Sequence, residues 1–173
     1  EFWELLVVDN ASAIPVAGQH DLSWHSNGRH LVESKLGLTM ARIRGIVETT
    51  SDVILFVDDD NVLASNYLSN VLEIMRREPQ LGVIGAGRLE PEFEEPPALE
   101  LMPYMPMLAL RTVPVSRWSN DPQDKIIPWG AGMAVTRTVA DHYRSIILAD
   151  PLKQRLDRAG NALNSCGDDE FSW

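Results

Sequence analysis

Val53-Ile54-Leu55-Phe56-Val57-Asp58-Asp59-Asp60 sets five apolar residues, with no alternation, directly against three aspartates. An unbroken run of β-branched and large apolar residues reads as a strand buried on both faces, whose carboxyl end opens at the rim of a parallel sheet. In α/β proteins that rim is where ligands bind. Three adjoining carboxylates repel one another unless a cation or a cationic ligand stands between them. Alone they would read as a solvated acidic turn, so the flanking sequence decides.

Upstream, Leu5 to Asp9 is a second short apolar run, closed by the turn-forming cluster Asp9-Asn10-Ala11-Ser12. Residues 13–28 are polar and loop-like, and Arg29 to Glu33 suits a short strand. Thr39 is placed to cap a helix carrying Ile43, Ile46 and Val47 at helical spacing, with an end near Thr49 to Ser51. Strand, helix and strand in this order predict a βαβ unit, with Asp9 and the aspartate triplet facing one crevice of one sheet. Downstream, Ser65 or Asn66 starts a helix with Leu68, Val71, Leu72 and Met75 on one face and Pro79 beyond its end. Gly82 to Gly85 and Ala131 to Thr136 suit strands, Thr138 to Leu148 a helix, and Pro151 to Arg158 a short helix with Gly160 past its end.

The fold expected is therefore α/β, a Rossmann-like, mostly parallel sheet flanked by helices, in one domain spanning residues 1–173. Within it, residues 1–89 form a nucleotide-binding part and residues 129–173 an acceptor-side part. Between them, residues 90–128 hold eight of the eleven prolines, with Met102, Met105 and Met107 among acidic residues. A segment of this kind suits an acceptor loop or lid. Both ends read as cut: Glu1-Phe2-Trp3-Glu4 runs straight into a strand, and Trp173 stands in an apolar stretch with no stop signal.

With 173 residues, 45% of them hydrophobic, the chain can bury a core without disulfides or zinc. Its net charge of -10 argues against nucleic acid as a partner, since duplex backbones demand a basic face. The single cysteine, Cys166, excludes an intrachain disulfide and fits a reducing compartment. The expected location is the cytoplasm, or the cytoplasmic face of the membrane for a longer parent. No apolar stretch reaches the length of a membrane span.

One carboxylate at one strand end and an Asp-x-Asp at another suit a nucleotide diphosphate. A carboxylate can accept bonds from a base N–H or from ribose hydroxyls, while another holds a divalent ion that bridges phosphate oxygens. Hard oxygen donors without histidine or thiolate favour Mg2+ or Mn2+ over zinc. His20, His25 and His30 are five apart and share neither a helix nor a strand face, which makes them poor ligands.

Five blocks occur in order along the chain: "LLVVDNAS" (5–12), "GLTMARIRGI" (37–46), "DVILFVDDDNVLASNYL" (52–68), "WGAGMAVTR" (129–137) and "GDDEFSW" (167–173). Together they resemble the family 2 glycosyltransferases of the A-type fold over almost the whole length. The resemblance implies an inverting, metal-dependent transfer of sugar from a nucleotide-diphosphate sugar to a carbohydrate or other acceptor hydroxyl. It assigns Asp58 and Asp59 to the donor and Asp60 to the metal. Asp9 would contact the donor base, and Arg42 would assist the phosphates, with an exposed helix arginine as the close alternative. Ile43 stands where the family normally has asparagine. The catalytic base maps to Asp168 or, with the motif shifted by one, to Asp169; Asp168 is preferred.

Trp129, Gly130 and Gly132 suit a wall for the donor or acceptor sugar, since glycine admits close backbone contact and an indole packs on a sugar ring. Core packing is the competing reading. Two other functions remain open. One is phosphotransfer or phosphatase chemistry with Asp58 as nucleophile, which needs a lysine-bearing loop that is not recognisable here. The other is a non-catalytic nucleotide-sugar-binding or interaction fragment.

Overall fold

The computed structural model describes residues 3–108, 110–121 and 126–155. Strand β1 (Leu5–Asp9) pairs in parallel with β2 (Gly28–Val32), Leu5 opposite Gly28 and Asp9 opposite Val32. Helix α1 (Leu38–Glu48) follows, then β3 (Val53–Phe56), α2 (Tyr67–Arg77) and the short β4 (Val83–Ile84). Two-residue strands β5 (Arg88–Leu89) and β6 (Arg111–Thr112) pair antiparallel and close the base of the proline-rich segment. Inside that segment Leu99–Leu108 winds into 3-10 turns. The chain then returns through β7 (Met133–Thr136), α3 (Arg137–Ala149) and a 3-10 turn at Lys153–Arg155.

The sheet departs from the expected parallel one. Strand β7 lies between β3 and β4 and is antiparallel to both, with Phe56 opposite Met133 and Ile84 opposite Ala134. Strands β1 and β3 belong to separate hydrogen-bonded sheets, not to one βαβ sheet. Each therefore pairs on one side only among the described residues. That explains why runs apolar enough for full burial are mostly half-buried in β1 and β3, while Met133, Ala134 and Val135 of the flanked β7 are wholly buried.

Helix α1 joins the two sheets, packing on β1 and on α3, while α3 covers β7 and β3. The core gathers Ile43 and Ile46 of α1, Ile54 of β3, Met133 and Val135 of β7, and Ala140, Tyr143 and Ile147 of α3. Gly45 faces Val8, whose Cγ2 would stand 3.9 Å from an added Cβ, so α1 lies close over β1 there.

The helix starts also carry one correction. Gly37, not Thr39, precedes α1; Thr39 is buried within the first turn. Gly37 takes φ 135, a conformation that favours glycine, and its N–H is held by the Asn10 side chain. The expected short helix from Pro151 appears only as the 3-10 turn, and its continuation to Arg158 lies outside the described residues.

Candidate functional site

After β3 the chain turns through the aspartates. The Asn61 N–H donates to the Asp58 carbonyl at 3.1 Å, and the Asn61 side-chain amide donates to Asp60 Oδ1 at 2.9 Å. Asp58 is half-buried, whereas Asp59 and Asp60 are exposed. The turn thus presents two carboxylates to solvent at the carboxyl end of β3.

The antiparallel pairing ends at Phe56 opposite Met133, and just before Met133 the chain turns, the Met133 N–H donating to the Gly130 carbonyl at 3.2 Å. Trp129 and Gly130 lead into this turn, and Gly132 directly precedes β7. Gly132 adopts φ 76, and a Cβ there would lie 2.9 Å from the Tyr67 hydroxyl. That hydroxyl donates to the Gly132 carbonyl at 2.6 Å, and burial pushes the Tyr67 phenol up, keeping it protonated as a donor. The room left by glycine is filled from within the protein, by the first residue of α2. Trp129 is half-buried, and the Arg111 guanidinium stands 4.8 Å from its ring centroid. Arg111 also donates to the Ile127 carbonyl at 2.8 Å.

Asp9, at the end of β1, is buried and its carboxylate is occupied with local backbone. Oδ1 accepts the Ser12 N–H at 2.8 Å and Oδ2 the Val16 N–H at 3.0 Å. The Val16 amide, then the Ser12 amide and hydroxyl, hold its carboxyl below the ordinary value; burial acts in the opposite sense and does not prevail. Asp9 therefore latches the loop after β1, and Ala11 turns that loop with φ 58. A ligand would have to share the remaining lone pairs of this carboxylate.

Arg42 is 5% exposed, which removes the exposed-helix-arginine reading. Its guanidinium stands 5.7 Å from the centroid of Phe56, two residues before Asp58. Arg42 so reaches from α1, packed on β1, towards the strand that carries the acidic turn. Asp9 ends a strand of one sheet and the acidic turn follows a strand of another, so the two do not share the rim of one sheet as expected. Asp168 and Asp169 lie outside the described residues.

Sequence reading passed over Asn10 as an ordinary turn residue. Its amide donates to the carbonyls of Glu33 at 3.0 Å and Lys35 at 2.9 Å, and its Oδ1 accepts the Gly37 N–H at 2.7 Å. It ties the loop leading into α1 to the end of β1. An asparagine next to a strand-end aspartate was the available signal, but its partners are 23 to 27 residues away.

Among the described residues no trio of His, Cys, Asp and Glu side chains stands close enough to hold a metal by protein ligands alone. An ion that arrives with a diphosphate needs only one or two carboxylates, the rest of its shell being phosphate and water. The exposed Asp59 and Asp60, with hard oxygen atoms of which Asp60 Oδ1 accepts from Asn61, fit that arrangement. No helix among the described residues is long and apolar enough to cross a membrane.

No curated protein and no solved structure gives a match to the chain. The family model described as glycosyl transferase family 2 matches residues 1–142. That span contains Asp9, Arg42, the aspartate turn and the Trp129–Gly132 strip, and it covers more than half of the sequence: the chain belongs to glycosyl transferase family 2.

Proposed function

We propose that the chain is a metal-dependent, inverting glycosyltransferase domain, moving a sugar from a nucleotide-diphosphate sugar to an acceptor hydroxyl. One observation carries the reading: exposed Asp59 and Asp60 stand in the turn at the carboxyl end of β3, within the span matched by the family model. Asp58 and Asp59 bind the donor, and Asp60 holds Mn2+ or Mg2+. The ion would supply countercharge to the diphosphate as it leaves. Asp9 keeps the loop after β1 closed around the base and offers its remaining lone pairs to a base N–H. Buried Arg42 adds a fixed positive charge behind Phe56, on the phosphate side.

The acceptor oxygen attacks the anomeric carbon from the face opposite the diphosphate, so the configuration inverts. Asp168, or Asp169 in the shifted alignment, removes the acceptor proton as that bond forms. Trp129 supports one face of a bound sugar.

Calorimetric titration with uridine, guanosine and thymidine diphosphates, with and without Mn2+, tests the donor side. One nucleotide should bind in a Mn2+-dependent manner, and Asp60→Asn should abolish that dependence. Equal affinity with and without the ion would overturn the assignment of Asp60. Asp168→Asn should remove transfer while leaving nucleotide affinity unchanged; retained transfer in that variant and loss in Asp169→Asn would move the base by one residue.

A further inference from the structure

At the other end of β1 from Asp9 the chain builds a polar recess that the donor reading does not use. An open surface depression of about 390 Å³ is lined by Glu4, Ser26, Asn27, Gly28, Arg29 and Thr50. Glu4 lies five positions before Asp9 along an extended strand, which puts the recess about 16 Å from the nucleotide end of β1.

An aromatic ledge adjoins the recess through the backbone, Trp3 preceding Glu4 and His25 preceding Ser26. The Trp3 and His25 ring centroids are 4.0 Å apart, and Trp24 meets His25 edge-on at 5.5 Å. Trp24 nevertheless remains 68% exposed and Trp3 40% exposed. The ledge is tied to the recess wall: His25 Nδ1 accepts the Asn27 N–H at 3.1 Å, and the Leu5 N–H donates to the Asn27 carbonyl at 3.2 Å. The turn that carries His25, and with it the ring contact to Trp3 and Trp24, is therefore fixed by hydrogen bonds.

The charges in the recess select among ligands. The Thr49 hydroxyl, with Ser51 and the Arg29 charge assisting, keeps Glu4 ionised below the usual glutamate range. Arg29 faces both Glu4 at 3.6 Å and Glu48 at 3.1 Å, and also donates to the Glu48 carbonyl. Two carboxylates already match its one positive charge, so a phosphate or other anion gains nothing here. The hydroxyls of Ser26 and Thr50 and the amide of Asn27 suit a ligand rich in neutral hydroxyls. An indole face suits the apolar C–H face of such a ligand.

We propose that this recess and its indole ledge form a secondary binding site for a neutral saccharide, at the pole remote from the donor. The site does not depend on the transferase reading, and its test reads binding alone. The full chain is titrated with maltohexaose, cellohexaose and chitohexaose at millimolar concentrations while the tryptophan indole N–H signals are followed by NMR. At least one saccharide should shift the Trp24 signal saturably. Trp24→Ala should weaken that binding about tenfold, Trp24→Phe should retain most of it, and nucleotide diphosphate affinity should stay unchanged in both. Because Trp24 is mostly exposed, an otherwise unaltered spectrum will show that the variants fold. The proposal is overturned if no saccharide moves the Trp24 signal, or if Trp24→Ala binds as tightly as the parent.

Discussion

Asp9 shows how one carboxylate can be read as a ligand and yet be held by its own chain. Its two oxygens each accept a backbone N–H, from Ser12 and Val16, and those bonds lower its pKa. A lowered folded value means the ion contributes stability in full above the ordinary carboxylate value of 3.8, and loses it as pH falls through the folded value. The loop after β1 should therefore stay latched from neutral pH down to about that point, and open only below it. Amide hydrogen exchange at Ser12 and Val16 measures this, and Asp9→Ala should expose both amides at neutral pH. Opening with a midpoint well above 3.8 would contradict the assignment.

Helix α1 ends on a residue from a distant part of the chain. The Arg137 guanidinium donates to the carbonyls of Ile46 at 3.0 Å, Thr49 at 2.9 Å and Ser51 at 2.9 to 3.0 Å. Terminal helix carbonyls lack partners within the helix, and a cation there also complements the helix dipole. Arg137→Met keeps the stem but removes every donor, and should cost about 2–3 kcal/mol. Urea denaturation should show a lower midpoint with an unchanged slope. A loss below about 0.5 kcal/mol, the range of ordinary surface substitutions, would show that the clamp contributes little.

Across the molecule, stability is unevenly shared. The β3–β7–β4 sheet sits on the main core through Ile54, Met133 and Val135, whereas the β1–β2 pair contributes Leu31 as its buried apolar residue. Local opening follows buried apolar contact. Amides of β1 and β2 should consequently exchange faster than those of β7 under native conditions. Equal protection in the two sheets would mean that α1 couples them into a single cooperative unit.

Much of the local structure was written in the sequence. Unbroken apolar runs marked β1 and β3, Asn66 and Pro79 bounded α2, and the Asp58–Asp60 cluster stood where a strand had to end. These features depend on residues within a few positions of one another, so composition and spacing carry them. The antiparallel entry of β7 between β3 and β4, the Asn10 tether and the Arg137 clamp were decided only by the folded chain. Each rests on hydrogen bonds between backbone groups or side chains far apart in sequence, and such bonds are open to almost any residue. Burial followed the same logic: β1 and β3 have the composition of enclosed strands, but the number of neighbours a strand acquires is a property of the assembled sheet.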